Sequence, residues 1–423
     1  MKGQAPAYSV SPALSDRLRW RIEGLRNAMV GLMADITALS AVGPDNGGGG
    51  EWERSRYLTE FIESLRLGPV AHFDSPDTRA FPGMRPNLAL RIEGYEPSPT
   101  VWVMAHLDTV PPGEESLWST PPFQAVVEDG RIYGRGTEDN QQAIVSMLCA
   151  VRALADEQLR PTTDVGLLFV ADEETGNTHG IEHVLTVEPD LVRPEDLVVV
   201  PDFGSPDGAF IEVAEKSILH CRVTVRGRQA HAAMPHAGTN AHRAAAHLTV
   251  RLDERLHERF PCEDPLFFPP ASTFEPTKRE ATVPNVNTIP GVDMFYFDCR
   301  ILPSLDVEDV KAVIGDEAGV VADEFQVDID ISYPTAEVAA PPTPVDAPIT
   351  MILAEAVRQV RGVEPKAGGI GGGTVAALFR RRGIPAVAWS TMDDVAHQPN
   401  EYCIIDNMLH DALVFAHLFV RGQ

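Results

Sequence analysis

Four short apolar runs, each leading into acidic or imidazole side chains, constrain this chain more than any other feature. TVWVMA (100–105) runs into His106-Leu107-Asp108, and VGLLFVA (165–171) into Asp172-Glu173-Glu174. LVVV (197–200) is followed by Pro201-Asp202, and IPAVAWS (384–390) leads through a loop to His397. Short, uniformly apolar runs alternating with helical patterns predict strands covered on both faces, hence a mostly parallel sheet with helices around it. One such helical pattern is NQQAIVSMLCAVRAL, where Ile144, Met147, Leu148 and Val151 share a face. Ligands of open α/β sheets bind beyond the carboxyl ends of the strands, so the polar ends of these runs are expected to converge. Asp139 in YGRGTEDNQQ joins them just before that helix, where the dipole favours a carboxylate.

The three adjacent acids at 172–174 pose a chemical question. Like charges repel, and burial raises their pKa unless a cation or a hydrogen-bond network compensates. Taken alone, FVADEETG reads as a solvated acidic turn. Beside imidazoles at neighbouring strand ends it reads as part of a cation site. Mixed imidazole and carboxylate donors suit zinc, whereas an oxygen-only set suggests magnesium or calcium. Two cations about 3.5–4 Å apart can share a bridging carboxylate.

Between about Lys216 and Pro334 the pattern changes. ILHCRVTVRG and VDMFYFDCRI alternate as half-buried strands and NAHRAAAHLTVRLDERL is helical, predicting a smaller α+β domain inserted before the apolar runs resume. The expected division is a catalytic domain over 1–215 and 335–423 and an insert over 216–334, with the Pro-rich 333–348 as the return linker. A chain of 423 residues is long enough for two cores. After a Ser15–Asp16 cap signal, Leu25, Met29, Leu32, Met33 and Ile36 predict an amphipathic opening helix.

Charge and cysteine usage exclude other classes. A net charge of −26 with no basic patch argues against nucleic acid or anionic membranes. The richest basic run, FRRRG (379–383), fits a helix end. GPDNGGGGEW lacks the GK[ST] of a phosphate loop and reads as a surface loop. Five scattered cysteines without a CxxC pair suggest reduced thiols in the cytoplasm. MKGQAPAYSV has one lysine and no apolar stretch, and no run of 18 apolar residues follows, so the expectation is soluble and untargeted.

MAHLDTVPPG, YGRGTEDNQQA, VADEETG, VVVPDFG, GRQAHAAMPHAGTNA, VNTIPG, FDCRI, GGIGGGT and HQPNEY occur in an order that resembles the two-zinc exopeptidases and deacylases. That family includes acetylornithine deacetylase, succinyl-diaminopimelate desuccinylase, carboxypeptidase G and aminoacylase. The resemblance spans nearly the whole chain from His106 onward. It implies a zinc-exopeptidase catalytic domain with an inserted ferredoxin-like lid that also carries a homodimer contact. His106 and Asp202 would then bind one zinc, Glu174 and His397 the other, and Asp139 would bridge them, with cobalt or manganese as alternative metals. Glu173 would be the general base, Asp108 would orient His106, and His231 would stabilise the oxyanion, often from the partner subunit. Asn287, Arg300 and the turn Gly371-Gly372-Gly373-Thr374 would hold a small amide substrate through its carboxylate. Two departures weaken any transfer of substrate identity: Gln141 where the family usually has lysine or glycine, and Thr374-Val375 after the glycines. The implied activity is hydrolysis of a small N-acyl amino acid or dipeptide. A carbamoyl-amide hydrolase and an inactive binding homologue are the alternatives, though no ligand or base is missing from the motifs.

Overall fold

The computed structural model describes residues 8–280 and 282–423; residues 1–7, on which the reading of the N-terminus partly rests, lie outside them. The chain divides into two compact units. The first runs through Val213 and takes in Pro342–Ala367 and Thr374–Gln423; the second comprises Ala214–Pro341 and Gly368–Gly373.

An eight-stranded sheet organises the first unit. Its middle strands, Thr163–Val170, Glu96–His106, Leu197–Ser205 and Ala386–Thr391, lie side by side in that order and run parallel. Antiparallel strands border them: Leu88–Ile92 pairs with Thr163–Val170, and Phe210–Glu215 with Ala386–Thr391. Val103 faces Leu167 on one side and Val199 on the other, and all three are fully buried. On one face, Trp102, Met104, Leu168, Val170 and Val198 pack with Ile181, Val184 and Phe379 from the helices Ile181–Val187 and Ala376–Arg380. Gly166 lies opposite Trp102 in the ladder, and a Cβ there would sit 2.0 Å from the indole, so glycine makes room for the ring. The helix Ile405–Phe419 reaches the strand Ala386–Thr391 through an edge-on contact of Phe415 with Trp389, and Ser146 of the helix Gln142–Asp156 donates to its Met408 carbonyl.

The second unit has the order strand Ser217–Arg226, helix Ala241–Arg259, strands Thr273–Glu280 and Val292–Ile301, helix Val307–Phe325, strand Asp328–Glu337. Spatially, Val292–Ile301 and Ser217–Arg226 are central, with Thr273–Glu280 and Asp328–Glu337 at the edges. This is the ferredoxin-like βαββαβ arrangement. Leu219, Cys221, Val223, Phe295, Phe297 and Cys299 face the two helices and form one core with Leu248, Leu252, Val310 and Ile314.

Two local expectations change. The opening helix is a pair, Pro12–Gly24 and Arg26–Ala38, and it starts ahead of Ser15–Asp16. Proline at the first helical position presets φ, so Pro12 marks the start and Ser15 already donates to the Ser11 carbonyl. The return linker also starts later than Tyr333, because the strand continues to Glu337. Tyr333 packs on the second core, and Pro334 is tolerated because the strand is an edge.

Candidate metal centre

Strand ends deliver the site. His106 closes the strand Glu96–His106, and its Nδ1 lies 3.0 Å from the Asp108 carbonyl and 3.4 Å from Asp108 Oδ1. Its Nε2 lies 2.8 Å from Asp139 Oδ1 and 3.5 Å from Asp202 Oδ1. Asp202 sits within the strand Leu197–Ser205, which extends further than its apolar core suggested. Asp139 belongs to the irregular stretch Thr137–Gln141 ahead of the helix Gln142–Asp156. Its second oxygen, Oδ2, is 3.1 Å from His397 Nε2, and Glu174 Oε2 is also 3.1 Å from that nitrogen. The chain thus brings together all five residues expected to bind metal. Ligand atoms of His106, Glu173 and Asp202, and of His106, Asp139 and Glu174, lie within 4.8 Å of one another in each group. Imidazole nitrogens and carboxylate oxygens at this spacing fit borderline divalent cations.

The electrostatics explain why such a cluster calls for positive charge. Burial, reinforced by the charge of Asp202, holds the Glu173 carboxyl well above its ordinary pKa. Burial also lifts Asp202 to about 6, against its hydrogen bond with His106. For Asp139 burial acts upward, but hydrogen bonds with His106 and His397 outweigh it and bring the carboxyl below its usual range. Burial would lower His106, yet its bonds to Asp108, Asp139 and Asp202 raise it well above the ordinary value; His397 rises to about 10 beside Asp139 and Glu174. Within the chain, then, imidazoles compensate the crowded carboxylates, a role that bound cations fill with greater charge.

The acidic turn is built by long-range bonds. Asp108 does more than face His106: its Oδ1 accepts from the Glu173 amide and its Oδ2 from the Glu174 amide, each at 3.1 Å. Asp172 is in the left-handed region at φ 64, with Oδ1 accepting from buried Arg85 at 3.2 Å and Oδ2 from the His179 amide at 2.9 Å. Arg85 in turn pairs with buried Glu51. Asn140 accepts from the His106 amide at 3.3 Å and donates to the Pro201 carbonyl at 2.7 Å and to Asp202 Oδ1 at 2.9 Å. Reading the sequence missed Arg85, Glu51 and Asn140. Arg85 meets partners 34 and 87 positions away, and no local pattern signals that.

The other expected residues lie in the second unit or at its border. His231 is exposed in the short strand Ala230–His231, and its Nδ1 accepts from the Ala233 amide at 3.1 Å. Asn287 accepts from the Asn285 side chain. Arg300 pairs through two nitrogens with Asp298, at 2.6 and 3.0 Å, and donates to the Gly371 carbonyl at 3.0 Å. A Cβ at Gly371 or Gly373 would meet nothing within 4 Å, and Gly372 would meet only the tip of Ile370, so this turn does not require glycine for space.

Parallel strands that end on imidazoles and carboxylates around a shared aspartate define a metallohydrolase. Residues 102–421 match peptidase family M20/M25/M40, and the chain belongs to that family. It is 35% identical over 397 residues to an uncharacterized metallohydrolase of Methanocaldococcus jannaschii, covering 91% of this chain and 97% of that protein. A succinyl-diaminopimelate desuccinylase of Sulfurovum sp. is 27% identical over 383 residues, covering 90% and 95%. Human carnosine dipeptidase 1 shares the fold, with a TM-score of 0.72, 18% identity, and coverage of 97% of this chain and 99% of that one.

Proposed function

We propose that this protein hydrolyses the amide bond of a small N-acyl amino acid or dipeptide that carries a free carboxylate, using two zinc ions. In this reading His106 and Asp202 hold one ion, Glu174 and His397 the other, and Asp139 is shared. The observation that carries it is the Asp139 carboxylate, with one oxygen 2.8 Å from His106 and the other 3.1 Å from His397. One side chain thus divides two half-sites. When bound, the cations lower the pKa of a water to about 7 and polarise the amide carbonyl.

The protein's own groups do the rest. Glu173 lies beside Asp202, and its carboxylate accepts no hydrogen bond from the described residues. It takes the proton from the attacking water and passes it to the leaving nitrogen. Asp108 pairs with Nδ1 of His106 so that Nε2 faces Asp139. His231 stabilises the oxyanion. Arg300, Asn287, Gly372, Gly373 and Thr374 hold the substrate carboxylate, with the Arg300 fork already shared with Asp298. Desuccinylase and dipeptidase relatives support amide cleavage next to an amino-acid moiety. We further propose a cytoplasmic homodimer formed through the second unit. Among the described residues the five cysteines form no disulfide, and no helix is long and apolar enough to cross a membrane.

The test joins elemental analysis of the purified protein to a panel of N-acetyl and N-succinyl amino acids, dipeptides and carbamoyl compounds, assayed before and after chelation. About two zinc per chain, with chelator-sensitive hydrolysis of a carboxylate-bearing amide, is the expected result. No bound metal, and no turnover after adding zinc, cobalt or manganese, would overturn the reading. Turnover of carbamoyl compounds alone would replace its substrate class.

A further inference from the structure

Two buried glutamates with no metal-binding role in the reading above tie the segment that carries Asp139 to the segment that carries His397. Glu401, four residues beyond His397, is fully buried. Its Oε1 accepts from the amides of Glu138 at 3.0 Å and Asp139 at 3.1 Å. Its Oε2 accepts from the Gly136 amide at 2.9 Å and from the Arg135 guanidinium at 2.6 Å. Glu138, the neighbour of Asp139, reaches the opposite way. Its Oε1 accepts from the Asp393 amide at 2.7 Å, and its Oε2 from the amides of Val395 at 2.6 Å and Ala396 at 3.0 Å. Each segment therefore supplies the carboxylate that satisfies the other's amides, and His397 is bracketed between the two attachments.

Packing alone does not explain this arrangement. Amides in irregular backbone lack ladder partners and must find acceptors elsewhere when buried. The segment around His397 holds Asp394, His397 and Asn400 at φ 62 to 63, in the left-handed region that non-glycine residues seldom occupy. A buried carboxylate is costly unless fully hydrogen-bonded, and well-packed apolar side chains often stabilise as much or more. What the carboxylates provide that apolar side chains would not is direction: each aims at backbone atoms within four residues of a ligand.

The geometry points to Glu138 and Glu401 as positioning residues, a reciprocal clamp that sets the separation of Asp139 and His397 and so the affinity of the half-site these two share for its cation. This rests on the two-metal reading. Neither clamp residue touches substrate or the reacting atoms.

The experiment measures zinc affinity by competition with a chromophoric chelator, and stoichiometry by elemental analysis, for the wild-type chain, Glu138→Ala and Glu138→Gln. Glu138→Ala leaves three amides without their acceptor. One of the two ions should then bind about 10–100-fold more weakly while the other is unchanged. The kcat should fall with KM held within about twofold, and excess zinc should restore it. A purely structural role would lower Tm but leave both affinities at wild-type values, and that result overturns the clamp. If Glu138→Ala does not fold, Glu138→Gln decides, because it keeps one oxygen acceptor but presents an amide group where a second is needed; two undiminished sites in that variant also overturn it. A wild-type chain that binds no zinc refutes the two-metal reading and the clamp with it, an outcome distinct from a variant with two intact sites.

Discussion

The strand Thr163–Val170 in the first unit is buried at every position, whereas Val292–Ile301 in the second alternates half-buried and buried along its length. The first holds one charged side chain, buried Asp164 paired with Arg91, and Asp172, Glu173 and Glu174 gather just beyond its end. The second sheet carries charges along its half-buried face and neutralises them locally: Arg300 and His220 both pair with Asp298, and Arg226 pairs with Asp330, while Asp293, buried on the other face, pairs with Arg279 and His242. A sheet covered on both faces concentrates polar chemistry at strand ends, where carboxylates must find a compensating charge. A sheet covered on one face has room to pair them side by side. That difference accords with the candidate metal centre lying in the first unit and predicts that its side chains are more sensitive to change.

Glu173→Ala tests the strand-end side directly. It should lower kcat by about 10²–10⁴-fold with metal content intact; near-normal kcat would remove Glu173 as the base. Burial comes next. Leu167→Ala, in a strand covered on both faces, should cost about 2–5 kcal/mol of stability by denaturant unfolding. Ile218→Ala, on the half-buried face of the second sheet, should cost about 1 kcal/mol or less. Equal losses would break the comparison between the two sheets. On the paired face, Arg300→Ala should raise KM for carboxylate-bearing substrates about tenfold, the value of a charged hydrogen bond. An unchanged KM would leave Arg300 as the partner of Asp298 and nothing more.

Much of this was legible because it is local. The four parallel strands were read from apolar runs of four to seven residues, and the inserted sheet from period-two alternation, patterns that depend on near neighbours alone. All five expected metal ligands meet: His106 closes its strand and Glu174 and His397 follow theirs, as strands that end together predict, whereas Asp202 lies within its strand and Asp139 comes from the irregular stretch ahead of a helix. The first helix starts at Pro12, ahead of the Ser15–Asp16 signal, because proline presets φ at the first helical position, and the strand runs past Tyr333 to Glu337 because an edge can hold a proline. Asp108 was expected to face His106, but not to hold the amides of Glu173 and Glu174. Nothing at position 108 announces partners 65 and 66 residues away.

By itself, therefore, the sequence determined the two sheet types, which candidate ligands would converge and the chemical class of the protein, since backbone periodicity and side-chain chemistry are properties of short segments. Only the tertiary structure decided how those ligands are held. Arg85 with Glu51 and Asp172, Asn140 with Asp202, and Glu138 and Glu401 across their two segments are pairings of buried polar groups. Such partners are chosen by which amides and carboxylates folding leaves unsatisfied side by side, and separation along the chain does not encode that.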